Sequence, residues 1–322
     1  MSNGASTTLA DVARHAGVHA ATVSRALSRP DMVNARTLER VRSSVDALGY
    51  VPNGAARQLA GGRTSRLAVV VPDITNPYFA SLVQSAQFRA DADDELVVLA
   101  DTGQSRAREV AAVRAFAGDV DGIVLCGSVA PVGALRDAAG ATPLVSVNRR
   151  MRGVPSVTID QTAVVDRSVE HLRDLGHERI AFVRGPSAYW STEVRSRRAV
   201  ALGIATLGPV EPTDAGGRGV LVSVRAAGVT AVVAFNDVVA VGMLAAAAEQ
   251  HLRVPEDLSI VGSDDVPLAS MVHPSLTTVS GCADELGEIA VDLVHARRDG
   301  GAVADVERSP TLIVRASTGR PT

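Results

Sequence analysis

From residue 67 onward, short apolar segments alternate with longer amphipathic ones, and this constrains the fold more than any other feature. The apolar segments predict strands, and the amphipathic segments predict helices. Such a chain forms parallel sheets with helices on both faces. There are enough units for two doubly wound lobes, an N-lobe of about 67–162 and 281–308 and a C-lobe of about 163–280 and 309–322. The predicted strands are Leu67–Val71, Leu96–Ala100, Gly122–Cys126, Leu144–Val147, Val157–Ile159, Ile180–Arg184, Ala231–Phe235, Leu258–Gly262 and Leu312–Arg315; the predicted helices are Phe79–Ala92, Arg106–Phe116, Ala163–Leu175, Val238–Gln250 and Asp284–Arg297.

Polar residues follow the ends of several predicted strands. Ligands of open α/β sheets bind beyond the carboxyl ends of the strands. Asp and Asn are also common in any turn, and for each residue alone the turn role is favoured. Their repetition at one sheet edge nevertheless indicates a ligand cleft. The residues are Asp73, Asp101, Asn148, Asp160, Asn236, Asp237 and Asp264.

Residues 1–50 have a different, all-helical pattern. Thr8-Leu-Ala-Asp11 predicts a capping box with Asp in place of Glu. A turn at Ala16-Gly17-Val18 separates the first helix from a second at about 20–27, and Asn34 is a candidate cap for a third helix that ends near Leu48. A helix, a glycine turn and a second helix predict a helix-turn-helix head. We predict a hinge or linker at 51–66 and the two-lobed body at 67–322.

Charge separates the head from the body. Residues 1–66 contain nine Arg and four acids, a net charge of +5, whereas the remainder carries −8. A basic head on an acidic body favours a polyanionic partner for the head, although ordinary charge scatter would also produce such a split.

The chain contains no lysine, since all 32 basic residues are Arg. This excludes Walker A nucleotide binding and Schiff-base chemistry, both of which need Lys. Gly-x-Gly-x-x-Gly, Gly-x-Ser-x-Gly and paired metal-ligand His motifs are also absent, so we predict neither an enzyme nor a metal or other cofactor. Cys126 and Cys282 are too few for a zinc module. With neither a signal peptide nor a long apolar run, we expect a cytoplasmic protein without a membrane partner.

Dense motifs in the head carry a family resemblance. The run Thr8-Leu-Ala-Asp-Val-Ala-Arg-His-Ala-Gly-Val18, then Thr22-Val-Ser-Arg-Ala-Leu27 and Leu48-Gly-Tyr-Val-Pro-Asn53, resembles the LacI/GalR family of transcriptional repressors. Val71-Pro-Asp-Ile-Thr-Asn-Pro-Tyr-Phe79, Gly262-Ser-Asp-Asp265 and Pro274-Ser-Leu-Thr-Thr-Val279 continue the resemblance into the body. It implies a periplasmic-binding-protein-like body that binds a small effector between its lobes, and a homodimer that binds a pseudo-palindromic operator.

The resemblance also implies roles for residues of the head. Phosphate contacts are expected from Thr8, Thr22 and Ser24, and a guanine contact from Arg25. A hinge helix at about 53–60 would enter the minor groove with Leu59 as its wedge. His19, Ser28 and Asn34 depart from the family's usual residues. The full DNA-binding set is Thr8, His19, Ala20, Ala21, Thr22, Ser24, Arg25, Ser28, Asn34, Asn53, Ala56, Arg57 and Leu59.

For the body, the resemblance implies a sugar or sugar derivative as effector. The expected effector-binding residues are Asp73, Asn76, Phe79, Asp160, Trp190, Arg197, Asn236 and Asp264. Three departures weaken this expectation. Ser263 replaces a usual aromatic, and Arg197 is followed three and four residues later by Val200 and Ala201 instead of the usual Gly and aromatic. The segment between Leu207 and Val220 is also about ten residues short, as though a strand and its loop were cut. The alternatives are a solute-binding protein of the periplasmic type and a regulator whose effector site has degenerated.

Overall fold

The computed structural model describes residues 7–28, 30–50 and 63–322. The chain divides into two compact units, one up to Thr64 and the other from Ser65 onward. Each unit has its own apolar core. None of the described helices is long and apolar enough to span a membrane.

Within residues 7–28, 30–50 and 63–64, the first unit has the α-helices α1 (Leu9–Ala16), α2 (Ala20–Ser28) and α3 (Ala35–Leu48), with a short 3-10 turn at Pro30–Met32. The capping box is confirmed, since Thr8 Oγ1 accepts a hydrogen bond from Asp11 N and Thr8 N donates to the Asp11 carboxylate. Asn34 Oδ1 accepts from Thr37 N, which confirms the cap of α3.

The core of this unit is small and aliphatic. It includes Val12 on α1, Val23 on α2 and Val41 on α3, each fully buried. Gly17 ends α1 in the left-handed conformation (φ +61°), where an L side chain would be strained. The predicted glycine turn between the first two helices is therefore confirmed.

The second unit contains two six-stranded sheets. The first sheet has the order β11-β5-β4-β3-β1-β2 and is parallel throughout. Together with the helices packed on it, it forms what we call the N-lobe. Its strands are β1 (Arg66–Val71), β2 (Leu96–Asp101), β3 (Gly122–Cys126), β4 (Leu144–Val147), β5 (Ser156–Ile159) and β11 (Val306–Arg308).

The second sheet, the centre of the C-lobe, has the order β12-β10-β9-β8-β6-β7. Its pairs are parallel except for β12 with β10. The chain passes between the sheets after β5, after β10 and after β11. The strands are β6 (Ile180–Val183), β7 (Ala205–Leu207), β8 (Ala231–Val233), β9 (Ser259–Asp264), β10 (Thr277–Ser280) and β12 (Leu312–Ile313).

Helices cover both sheets. Two of them, α4 (Pro77–Asp91) and α12 (Ala283–Arg298), pack together over the N-lobe sheet. There Leu82 and Leu286 join the apolar core with Val69. In the C-lobe, Leu221 and Met243 join a second core cluster with Ile260. The body helices are α4 (Pro77–Asp91), α5 (Arg106–Phe116), α6 (Val132–Ala139), α7 (Gln161–Asp174), α8 (Trp190–Ala201), α9 (Asp214–Ala226), α10 (Asp237–Glu249), α11 (Leu268–Met271) and α12 (Ala283–Arg298).

The predicted strands are all present: β3 and β4 have the predicted bounds, and the ends of the others differ by at most two residues. Strands β7, β10 and β11 were not predicted, and neither were helices α6, α8, α9 and α11. Strand β7 pairs with β6 at the sheet edge and ends at Leu207, where the segment that the sequence predicts to be short begins. Between Leu207 and Val220 there is no strand, since residues 208–213 lead directly into α9.

Candidate functional sites

The outer face of α2 is the exposed helical surface that the sequence predicts for contact with DNA. Ala20, Ala21, Ser24 and Arg25 are exposed, and Thr22 is half-buried. Val23 and Ala26, on the opposite side, point into the core and hold the helix against α1 and α3. A short exposed helix with small residues at its start and an Arg one turn later fits a major groove.

Three other predicted residues of the head lie beside helix ends. The Thr8 hydroxyl donates to the Asp11 carboxylate at 2.6 Å, and Asn34 caps α3 as described. The exposed His19 accepts hydrogen bonds from Thr22 N and Val23 N through its backbone carbonyl. The side chain of Ser28, and Asn53, Ala56, Arg57 and Leu59 entirely, lie outside the described residues.

Between the two lobes lies a cleft with an empty volume of about 700 Å³, part of it open to solvent. Its walls are the segments that follow the carboxyl ends of strands from both sheets. The lining residues are Asp73, Asn76, Tyr78, Phe79, Gln104, Gly127, Ser128, Asn148, Ile159, Gln161, Tyr189, Trp190, Ser191, Arg195, Pro212, Phe235, Asn236 and Asp264.

Six of the eight predicted effector residues therefore line the cleft: Asp73, Asn76, Phe79, Trp190, Asn236 and Asp264. Two of these also fix local structure. Asn76 Oδ1 accepts from Tyr78 N at the start of α4, and Asn236 Oδ1 accepts from Val239 N at the start of α10. Each of these two side chains therefore both caps a helix and lines the cleft.

The prediction of Arg197 is wrong, and Arg195 occupies the cleft instead. Arg195 is buried on the inward face of α8; its Nε donates to Gln161 Oε1 at 2.6 Å and its Nη1 donates to Phe235 O at 2.8 Å. Two residues along the helix is a rotation of about 200°. Arg197 accordingly faces solvent, where it pairs with Glu193 one turn back.

The prediction of Asp160 as a lining residue is also wrong. Its carboxylate accepts hydrogen bonds from Thr162 N and Ala163 N, so it serves as the N-cap of α7. The adjacent residues Ile159 and Gln161 line the cleft in its place. Both hydrogen bonds fall on Oδ1, so the carboxylate is oriented toward the first turn of its own helix.

Asp264 provides the acidic side of the cleft. Burial raises its pKa well above the usual range for Asp; the neighbouring Asp237 raises it further, and Arg195 partly opposes the shift. Asp237 lies behind it, fully buried, and accepts from Thr278 Oγ1 at 2.6 Å and from Val266 N at 2.9 Å. Burial also raises the pKa of Asp237, to about 6. The floor of the cleft therefore holds two carboxyl groups that disfavour simultaneous ionisation.

Aromatic rings form the apolar walls. Tyr78 and Phe79 meet edge to face with ring centroids 5.3 Å apart, and Tyr189 stacks on Phe235 at 6.2 Å. The Phe235 ring lies directly over the backbone of Gly185, where a Cβ would come within 2.6 Å of the ring atoms. Only glycine fits at that position without displacing the ring.

Sequence reasoning missed several lining residues, among them Tyr78, Gln104, Gly127, Ser128, Gln161 and Tyr189, and it named Asn148 only as a residue that follows a strand. The Asn148 amide nitrogen donates to the Tyr78 hydroxyl, and its Oδ1 is buried without a partner. Position after a strand end could have identified Gly127 and Ser128, which directly follow β3. In the described part of the chain, no group of three or more His, Cys, Asp or Glu side chains could hold a metal ion.

Comparison with known protein families separates the chain into the same two parts, the helical head and the two-lobed body. Residues 8–53 match the model of the lacI family of bacterial regulatory proteins, and residues 169–318 match a periplasmic binding protein-like domain. The chain is 31% identical over 328 residues to the HTH-type transcriptional repressor CytR of Escherichia coli strain K12, covering 97% of this chain and 96% of that protein. These relatives are transcriptional regulators and not enzymes.

Solved structures agree with this match. The Lac repressor dimer bound to operator and the anti-inducer ONPF is similar at a TM-score of 0.85 and 27% identity, with 98% of this chain and all of that chain covered. A complex of the transcriptional regulator CelR with cellobiose is similar at a TM-score of 0.69 and 28% identity, covering 97% and 99% of the two chains.

Proposed function

Because the chain belongs to the LacI family of bacterial regulatory proteins, we propose that it represses transcription as a homodimer on a pseudo-palindromic operator, under the control of a small effector in the interlobe cleft. The observation that carries the proposal is the exposed outer face of α2, which presents Thr22, Ser24 and Arg25 on a packed three-helix head. Such a regulator acts in the cytoplasm, where the DNA is.

In the operator complex, α2 lies in the major groove. Arg25 donates two hydrogen bonds to guanine O6 and N7, and Ala20 and Ala21 leave room for bases or contact a thymine methyl. Thr22 and Ser24 contact phosphates with His19 and Ser28. Thr8 and Asn34 fix the N-termini of α1 and α3, whose free N–H groups suit phosphate oxygens. Asn53, Ala56, Arg57 and Leu59 form the minor-groove hinge.

The effector is a neutral molecule with several hydroxyl groups, such as a sugar or sugar derivative. The cleft provides amides at Asn76 and Asn236, a carboxyl at Asp264 and a guanidinium at Arg195, next to the faces of Phe79 and Trp190. Such a mixture pairs both the donors and the acceptors of hydroxyl groups while covering the apolar face of a ring. The presence of six of the eight predicted residues in the lining supports an effector site over a degenerate one.

An exposed apolar surface supports the dimer. In the N-lobe, Phe88 on α4 is 72% exposed, and Leu96 and Leu99 on edge strand β2 are 62% and 42% exposed. In the C-lobe, Val222 and Met271 are similarly exposed. Large apolar side chains near an open sheet edge are a liability in a monomer and are typical of an interface. We assign them to contact with a second copy of the chain.

The experiment that tests the proposal is capture of genomic fragments by the purified protein, followed by sequencing. We expect enrichment of a palindrome, and Arg25→Ala should lose that enrichment. The genes beside the captured sites then indicate a ligand panel, which thermal shift reduces to a binder. Fragments enriched without a palindrome, or enriched equally by Arg25→Ala, would contradict the proposal.

A further inference from the structure

We propose that the loop after β3, residues 127–130, is a latch that holds the two lobes together at the rim of the cleft, and that Glu109 is the positioning residue that shapes it. The inference rests on the proposed function to the extent that it concerns closure of the same cleft.

The contact across the rim is a small apolar cluster. Val129 belongs to the N-lobe, whereas Tyr189 and Phe235 follow strands of the C-lobe sheet. The three side chains form a buried cluster separate from the cores of both lobes, with exposures of only 7%, 8% and 9%. Separation of the lobes would expose all three, so burial of the cluster favours the closed arrangement.

Glu109 on α5 holds the backbone of this loop from one side. It is 3% exposed, and its Oε2 accepts hydrogen bonds from Val129 N at 3.0 Å and from Ala130 N at 2.9 Å. A buried carboxylate that accepts two adjacent backbone N–H groups fixes a turn with charge-assisted bonds. Loss of the carboxylate charge would weaken the hold on both donors.

Arg149 holds the same loop by its carbonyl groups. Its Nη1 donates to Ser128 O at 3.1 Å and to Ala130 O at 2.7 Å. Gly127, with φ of +53°, begins the loop against the Phe79 ring, where an added Cβ would lie 3.3 Å from the ring. With both its N–H and its carbonyl groups held, the loop projects Val129 in one direction, toward the C-lobe.

The same loop also lines the cleft in which an effector would bind. Gly127 and Ser128 line the cleft, while Val129 makes the rim contact one residue later. The stability of the latch therefore helps to set the ratio of closed to open lobes. An effector that binds one of these arrangements more tightly than the other shifts this ratio toward the arrangement that it prefers.

The test follows closure through Trp190, which lines the cleft and is the only tryptophan of the chain. Acrylamide quenching of its fluorescence and small-angle scattering are measured on the full chain without added ligand. Val129→Ala removes two methyl groups from the cluster, and we expect the closed-to-open ratio to fall about tenfold. Trp190 should become easier to quench and the scattering radius should increase. Val200→Ala, at an exposed position on α8, is the matched control.

Glu109→Gln should shift both measurements in the same direction, with exposed Glu170→Gln as its control. In a Val129→Ala background it should add little, because Glu109 acts through Val129. If Glu109→Gln does not fold by circular dichroism, Arg149→Gln loosens the same loop from its carbonyl side and is used instead.

Two results would overturn the proposal. Equal quenching and scattering for Val129→Ala and Val200→Ala would mean that the cluster does not hold the lobes. A full effect of Glu109→Gln in the Val129→Ala background would remove Glu109 as the positioning residue. Genomic capture by the wild-type protein is read separately, so failure of the DNA-binding proposal would leave these results standing.

Discussion

Replacing Arg195 with methionine removes a buried guanidinium from the wall of the cleft while keeping a side chain of similar length. The change deletes the hydrogen bonds to Gln161 Oε1 and Phe235 O, and the cation–π contact with the Phe235 ring, whose centroid lies 5.8 Å from the guanidinium carbon. The two acceptors that remain are both buried.

The magnitude follows from these contacts. Each hydrogen bond from a charged donor contributes about 1.5–3 kcal/mol, and relief from burying the charge offsets part of that sum. We therefore expect Arg195→Met to lower the free energy of unfolding by about 3 kcal/mol. Arg197→Met, two residues away, removes only an exposed pair with Glu193 and should change stability by less than about 0.5 kcal/mol.

Urea denaturation of both variants, followed by Trp190 fluorescence, measures this difference. The two substitutions are chemically identical and lie on the same helix, so each controls for the other. A loss of stability for Arg197→Met equal to or greater than that for Arg195→Met would refute the assignment of Arg195 to the buried cleft wall.

Three further predictions concern Arg25 of the head, the Asp264 carboxyl of the cleft and His177, which contacts the C-terminal segment at Gly319. Arg25→Ala should weaken operator binding by about 1–3 kcal/mol and relax one base position, as measured by gel shift on operators randomised at each position; unchanged base preference would exclude base contact. The raised pKa of Asp264 means that the folded state holds its proton more tightly than the unfolded state, so wild-type stability falls as pH rises above about 4. Asp264→Asn should gain stability relative to wild type over that rise in pH, and a pH-independent difference would contradict the burial argument. Burial lowers the pKa of His177, which contacts Thr230, Ser259 and the Gly319 carbonyl. The fold therefore resists its protonation, and stability should fall as pH drops below about 6.5; His177→Gln should remove that loss in pH-dependent melting.

The strands of the body could be predicted because buried parallel strands are continuous apolar runs. Leu67–Val71 and Gly122–Cys126 are examples, buried throughout in the structure. The missed strands β7, β10 and β11 have only three or four residues each, and they contain polar side chains, as in Val306–Arg308 and Thr277–Ser280. Their pairing depends on neighbours distant in sequence, which local pattern does not contain.

In the cleft, the predicted residues that the structure places in the lining are mostly polar side chains at or shortly after strand ends, such as Asp73, Asn236 and Asp264. The failures arose within helices. Arg195 faces inward and Arg197 faces outward because they lie on opposite faces of α8. The sequence of this helix is only weakly amphipathic, so it does not show which face packs against the lobe. Asp160 failed because a capping carboxylate and a ligand-binding carboxylate have the same local sequence signature.

The proposed repressor function depends on recognition of a specific palindrome by the exposed face of α2. Fluorescence anisotropy of the full-length protein tests it most directly, on a palindrome obtained by genomic capture and on the same duplex with one half-site scrambled, at fixed salt. We expect the intact palindrome to bind at least about a thousandfold more tightly, and Arg25→Ala to reduce this ratio by about 1–3 kcal/mol. Equal affinity for the intact and scrambled duplexes would contradict it.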